Sequence, residues 1–492
     1  MGSKSFDDDI STDTLKSKTV SGGIITSISQ ALKLTLQISS NIILARLLTP
    51  EDFGLVAMVS VVATFIIMFK DLGLSQATIQ SKSITHAQVS TLFWVNVVFG
   101  LAFMVLTIII SPFVASFYQQ PELRNITILL AIGIFVGGLT VQHQAIMRRK
   151  MMYKEIAIID ILSMVSGITV AIITALLGFG YWALVLLQLT QALVLMIGVW
   201  YFSRWLPGKP EKLKNINSML AFGGYMSMYS FVNYFARNLD TILIGWKWGA
   251  VPVGLYSRAY SLLLLPIGQL TAPFSSIAVP ALSRLQESPK EFNNFYLKMV
   301  RVIAYLSMPL IIVMSILSYE IVIFLLGEEW EEAARIFQLL SFAAFWQPIA
   351  STVGWIYVSL GKVKRMMKWG FIGTGVMATF MYLGLEGGAE GVAYYYSVSM
   401  WVLIIPIFLY AFHGTALTLK MLGKSIALPV ANAILVGISF YVAKSICMYE
   451  GVFTSILWTI IIGSSLYGTS LIIFKPIRDD IKTVLQQIKR NR

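Results

Sequence analysis

Apolar runs of roughly 18–25 residues, parted by short clusters of charge, recur along this whole chain, and that is the length a helix needs to cross a bilayer. In hydrocarbon every backbone amide must be satisfied within its own segment, so such runs commit the chain to membrane helices. The composition agrees: of 492 residues, 57% are hydrophobic and 12% charged, with a mean hydropathy of +0.75. A soluble chain of this size would need several domains and about twice the charge. The spans fall near 22–45, 53–70, 89–112, 126–145, 156–177, 180–202, 217–245, 251–280, 298–326, 333–359, 366–384, 390–412, 426–446 and 453–474. No connecting loop is long enough to hold a folded domain, so any chemistry must occur within or between helices.

Charge sets the orientation. Alternate loops are basic, among them Lys16 and Lys18; Lys70 and Lys82; Arg148, Arg149, Lys150 and Lys154; Lys209, Lys212 and Lys214; Lys362, Lys364 and Arg365; and the tail from Lys475. The opposite loops carry Glu51 and Asp52, Glu122, Glu328 and Glu329, Glu386 or Glu450. The positive-inside bias therefore places both termini in the cytoplasm of a multi-pass protein, which requires an even number of spans. The net charge of +13 needs no nucleic-acid partner, because the basic loops sit well on anionic lipid headgroups. The leader Met1–Lys18 is acidic and lacks a basic n-region, so no signal peptide is expected. Cys447 is the single cysteine and cannot form an intrachain disulfide. His86, His143 and His413 read as interfacial loop residues, and with no metal-ligand spacing among them neither a metal nor a cofactor is expected.

Two segments repeat at an offset of 200 residues. Ile42-Ile43-Leu44-Ala45 followed by Phe53-Gly54-Leu55 lines up with Ile242-Leu243-Ile244-Gly245 followed by Val253-Gly254-Leu255. The offset covers six spans, an even number, so the second copy enters the membrane in the same sense as the first. The expected fold is an all-α polytopic membrane protein of about fourteen transmembrane helices. It comprises two pseudo-symmetric six-helix lobes, related as parallel repeats, plus two extra C-terminal helices. The boundaries follow: a cytoplasmic tail 1–18, an N-lobe 19–203, a linker 204–216, a C-lobe 217–413, appended spans 414–474 and a basic cytoplasmic tail 475–492. Parallel repeats imply a pathway between the lobes.

A Lys or Arg at mid-bilayer costs on the order of 2.5–3.5 kcal/mol on insertion scales, so each one needs a reason. Three lie deep within spans: Lys33, Arg237 and Arg258. Lys33 shares a helical stripe with Gln30, Gln37 and Asn41, and the seventh span carries a matching stripe of Tyr225, Tyr229, Asn233 and Arg237, with Asp240 one turn on. The 200-residue offset pairs Lys33 with Asn233 and Gln37 with Arg237. An Arg237–Asp240 ion pair locking helix packing is one reading of that spacing. For Lys33 the first span offers no acid, so a partner must come from another helix or from a ligand. Three cations against one deep acid make a cationic cavity that suits an anionic substrate, and Arg suits phosphate through its bidentate fork. Asp240 is the candidate coupling group. Asp160 and Glu320 read as interfacial carboxylates, with proton coupling as the alternative.

The same residues carry a family resemblance. Ala45-Arg46-Leu47-Leu48-Thr49-Pro50-Glu51-Asp52-Phe53-Gly54-Leu55, Asp71-Leu72-Gly73-Leu74 with Ile79-Gln80, and Leu92-Phe93-Trp94-Val95-Asn96 resemble the Wzx-type polysaccharide flippases. So do Asn238-Leu239-Asp240-Thr241-Ile242-Leu243-Ile244-Gly245 and Gly254-Leu255-Tyr256-Ser257-Arg258-Ala259-Tyr260. The likeness covers roughly residues 16–475 and is greatest to the colanic and teichuronic acid exporter branch of the multidrug/oligosaccharidyl-lipid/polysaccharide superfamily. The resemblance implies a V-shaped two-lobe fold in the bacterial cytoplasmic (inner) membrane. It also implies translocation of an undecaprenyl-pyrophosphate-linked oligosaccharide by alternating access, for surface polysaccharide assembly. Its implied partners are that lipid-linked glycan and the bilayer, with a polysaccharide polymerase and chain-length proteins as candidate protein partners. Gln30, Lys33, Gln37, Asn41, Asn233, Arg237 and Arg258 would line the pyrophosphate cavity. Related peptidoglycan-precursor flippases carry several arginines in their first two helices, whereas this chain has one lysine there.

Two other functions compete. A cation-coupled multidrug or metabolite antiporter of the same superfamily would want an acidic cavity, and this one is basic. A membrane glycosyltransferase would use acids such as Glu51 and Asp52, but their loop is short. That pair reads instead as first-turn acids of a helix opening at Pro50.

Overall fold

The computed structural model describes residues 12–68, 74–81, 84–210, 234–235, 237–446 and 451–481. The start of the acidic leader, Lys70, Asp71-Leu72-Gly73, Lys82, Lys212, Lys214, Tyr225, Tyr229, Asn233, Cys447, Glu450 and the tail beyond 481 lie outside the described residues. Among the described residues there are helices and no strands. Nine of the helical stretches are long and apolar enough to cross a membrane, or ten if the pair Glu328–Ala344 and Gln347–Ser359, bent by 47°, is one span. The chain divides into two compact units, Met1–Gly254 and Leu255–Arg492.

The first unit holds α1 (Thr12–Leu47), α2 (Pro50–Ile67), α3 (Leu74–Gln80), α4 (His86–Tyr118), α5 (Glu122–Arg149), α6 (Tyr153–Leu176) and α7 (Trp182–Ser203). Residues 237–248 form α8, and the first turn of α9 (Ala250–Arg284) completes the unit. Helix α5 is its centre. It packs against α2, α3, α4 and α7, and 56% of its apolar stretch is buried, against 22% for α4, α6 and α7. The local sequence explains why α2 begins where it does. The Asp52 N–H donates to Thr49 Oγ1 at 3.3 Å and the Thr49 N–H donates to the Asp52 carboxylate at 3.0 Å, with Pro50 opening the helix. This capping box satisfies two orphan amides, and the acids of the first turn suit the helix dipole.

A buried polar chain ties the short α3 to its neighbours. The Thr78 hydroxyl donates to Gln142 Oε1 at 2.7 Å, and Gln142 Nε2 donates to Asn96 Oδ1 at 3.0 Å. All three side chains are fully buried. Arg149 donates from Nη1 to the carbonyls of Thr78 and Ser81 at 2.9 and 2.8 Å, covering the exposed end of α3. His143 departs from the interfacial loop position expected of it. It is buried within α5, stacked on Trp200 at a ring separation of 4.4 Å and flanked by Phe93 and Trp205.

At the start of α2 the chain approaches the start of α9. A methyl group on Gly54 would overlap the Ala250 carbonyl, and a methyl on Gly254 would overlap the Pro50 carbonyl. Residues 50 and 54 thus meet residues 250 and 254 reciprocally.

The second unit contains the rest of α9, then α10 (Pro289–Ile316), α11 (Ser318–Leu326), α12 (Glu331–Ala344), α13 (Gln347–Ser351) and α14 (Val353–Ser359). It ends with α15 (Val363–Gly384), α16 (Gly388–Phe412), α17 (Leu419–Ile446) and α18 (Val452–Ile473). The apolar stretch Val363–Phe412 is a hairpin of two crossings: α15 and α16 pack along each other, with Gly384 and Gly391 in backbone contact at the turn. A core around Tyr296, Ile356 and Phe412 is pinned by the Tyr296 and Thr352 hydroxyls, 2.9 Å apart.

The two C-terminal helices belong to this unit. Helix α17 packs along α10, and α18 against α17 and α11. One end of α17 is fixed where Lys444 Nζ donates to Glu320 at 2.9 Å and to the Ile316 carbonyl at 2.7 Å. Beyond α18, Asp480 accepts from Arg301 and from the Tyr305 hydroxyl on α10.

Candidate functional site

Gln30 and Gln37 are exposed, and Lys33 and Asn41 are half-buried. Helix α1 packs on α6, and there Lys33 Nζ donates to Asp160 Oδ2 at 2.8 Å. The two side chains keep 24% and 30% exposure, so this ion pair is open on one side. An unpartnered ammonium at this depth would carry an insertion cost of roughly 2.5–3.5 kcal/mol, and the facing carboxylate offsets it. Asp160, read from the sequence as an interfacial carboxylate, is the partner that α1 could not supply. Beside it lies a small cavity of about 40 Å3 whose polar wall is Gln144 and Arg148.

On α8, Arg237 is exposed while Asp240 is buried. The Asp240 carboxylate accepts the Thr241 N–H at 2.7 Å, a local bond that satisfies one oxygen. Asn238 Nδ2 donates to the Tyr234 carbonyl at 2.9 Å, and the Tyr234 hydroxyl donates to the Val61 carbonyl of α2. The structure thus brings Lys33 and Asp160 together, and it keeps Gln30, Gln37 and Asn41 on the lysine's own helix. Arg237 and Asp240 share α8 in different surroundings. Arg258 is half-buried on α9 in the second unit.

Two pairings escaped sequence reasoning. Lys33 and Asp160 are 127 residues apart, and Lys444 and Glu320 are 124 apart. No local periodicity links such positions. The usable signal for the first was arithmetic: the deep Lys33 needs an acid, and few deep acids were available.

A two-unit chain whose described residues are helical, with helices long and apolar enough to cross a membrane, has the architecture of a polytopic membrane protein. The chain belongs to the polysaccharide biosynthesis protein family, whose model matches residues 43–335. Lipopolysaccharide biosynthesis protein WzxC of Escherichia coli (strain K12) is 25% identical over 394 residues, which is 77% of this chain and 78% of that protein. Teichuronic acid biosynthesis protein TuaB of Bacillus subtilis (strain 168) is 25% identical over 363 residues, 71% of this chain and 73% of its own. Among solved structures, the inward closed conformation of the lipid II flippase MurJ superposes with a TM-score of 0.73. It covers 92% of this chain and 99% of its own at 15% identity, a likeness of fold.

Proposed function

We propose that this protein translocates a polyprenyl-pyrophosphate-linked oligosaccharide from the cytoplasmic to the outer leaflet of the cytoplasmic membrane, for surface polysaccharide assembly. The carrying observation is the stripe on α1. Gln30 and Gln37 are exposed around the open Lys33–Asp160 pair, and polar groups at such depth must face water rather than acyl chains. A hydrated stripe with a cation at its centre suits a pyrophosphate. In this reading Lys33, Arg237 and Arg258 bind the headgroup, and Gln30, Gln37, Asn41 and Asn233 supply hydrogen bonds. Asp160 keeps Lys33 neutralised until a phosphate replaces the carboxylate, so the site does not carry a bare buried charge between cycles. Asp240 is the proposed coupling acid, and alternating exposure of the bound headgroup to the two sides moves it.

Family membership and the similarity to the lipopolysaccharide and teichuronic acid biosynthesis proteins WzxC and TuaB support a glycan substrate. The fold shared with a lipid II flippase supports a lipid-linked one. The positive-inside bias supports cytoplasmic termini, and a polymerase and chain-length proteins are the proposed downstream partners. The test is genetic. Lys33→Ala and Arg237→Ala, in a strain whose surface polysaccharide depends on this chain, are expected to abolish export while membrane levels stay normal. Normal export by both variants rules the site out.

A further inference from the structure

Helix α4 turns a wholly apolar face outward. Val98, Leu101, Val105, Ile109, Phe113 and Phe117 follow one another at three- or four-residue spacing and are 44–73% exposed. On a helix apolar enough to span the membrane, such a face meets hydrocarbon. At its Phe113–Phe117 end lies a cavity of about 290 Å3 within the first unit. Val62 and Phe65 of α2, Ile110 and Phe113 of α4, and Tyr234 and Ile242 around α8 form its walls. The lining side chains are aliphatic or aromatic, with two phenol hydroxyls among them, those of Tyr118 and Tyr234, and the Tyr234 hydroxyl is already donated to the Val61 carbonyl. Phe65 stands 5.4 Å from Phe235 edge to face and 5.8 Å from Tyr234, which stiffens one wall. No charged side chain lines this space, so it is poorly suited to a phosphate. It offers mainly dispersion contacts.

The neighbouring charge identifies the occupant. Arg237 is exposed on α8, one turn after Tyr234 and before Ile242, both of which line the cavity. A bilayer phospholipid keeps its phosphate at the interface, whereas a ligand whose phosphate is held at Arg237 brings its hydrocarbon to this depth. We propose that the cavity seats a stretch of the polyisoprenoid chain of the lipid-linked substrate, so that chain and headgroup are recognised on adjoining turns of α8. This inference rests on the functional reading above.

The experiment places the full-length protein in phospholipid nanodiscs with one of two photoreactive probes. One is a polyprenyl pyrophosphate bearing a diazirine on its chain; the other is a phosphatidylglycerol bearing the same diazirine on an acyl chain. The polyprenyl probe is expected to label residues 61–65 and 110–118 about tenfold more than the phosphatidylglycerol probe does, a preference of about 1.4 kcal/mol. Val62→Trp, which fills the cavity, is expected to remove that labelling. Ile110→Trp is the second filling variant if the first does not fold. Equal labelling by phosphatidylglycerol, no labelling, or labelling that survives in a folded filled variant overturns the proposal. Geranyl pyrophosphate binding separates the two claims. If Lys33→Ala weakens it but the labelling fails, only the chain site falls. If Lys33→Ala leaves it unchanged, the functional reading falls, and the chain site with it.

Discussion

Gly54 and Gly254 stand 200 residues apart in the sequence and meet backbone to backbone, each against a carbonyl four residues before the other. The contact is reciprocal, residue 54 meeting 250 and residue 254 meeting 50, so two copies of one sequence motif pack against each other. The glycines are required because no side chain fits between the first turns of α2 and α9.

That contact makes a prediction of unusual sign. Replacing Gly by Ala inside a helix ordinarily stabilises it by about 1 kcal/mol. Gly54→Ala and Gly254→Ala are instead expected to destabilise by about 1–3 kcal/mol through overpacking against backbone that cannot swing aside. Gly23→Ala, at a position with open space, serves as the control and should be neutral or mildly stabilising. Thermal unfolding midpoints in detergent would separate the three, and equal midpoints would remove the steric argument.

The Lys33–Asp160 pair is a ligand site under the reading above, and a packing staple under its rival. Asp160→Asn leaves the cation and should retain headgroup binding, with Lys33 freed of its competitor. Lys33→Ala should lose binding. The double variant Lys33→Ala/Asp160→Ala decides, because a staple recovers when both charges go, whereas a binding site does not. Export restored in the double variant would assign the pair to packing.

Glu320 is buried and Lys444 only partly so, which makes the pair asymmetric. Lys444→Met strands a buried carboxylate and is expected to cost about 1–3 kcal/mol. Glu320→Gln keeps a hydrogen-bond acceptor for the lysine and should cost less. The same ordering in detergent unfolding would show that α17 is anchored through this contact.

The chain Thr78–Gln142–Asn96 is fully satisfied and fully buried. Gln142→Leu leaves Thr78 and Asn96 without that partner, a loss expected to cost about 1–3 kcal/mol in all. Converting all three to apolar residues of similar volume should cost less than the single change, and thermal unfolding of both variants would check that ordering.

How much was legible in the sequence divides along one physical line. Many span positions among the described residues were, because a helix must hide its own amides in hydrocarbon and so writes its length as an apolar run. The predicted 89–112 and 251–280 fall inside α4 and α9. The cap at Thr49 and Pro50 was legible for the same reason, since its partners lie three residues away. The family was legible in the motifs, several of which turn out to hold structure: Asn96 closes a buried hydrogen-bond chain and Gly54 makes a close approach.

What the sequence determined by itself was the covalently local part: which segments become membrane helices, where they start, and that one motif recurs 200 residues on. Only the tertiary structure decided the partners of the deep charges, giving Asp160 to Lys33 and Glu320 to Lys444, and enclosing His143 among aromatic rings. It also broke the predicted span 333–359 at residues 345–346. The reason is range. Helix periodicity and capping act over a turn or two and leave a local trace, whereas a charge buried in hydrocarbon is satisfied by whichever opposite charge the packing brings near, however far along the chain it lies.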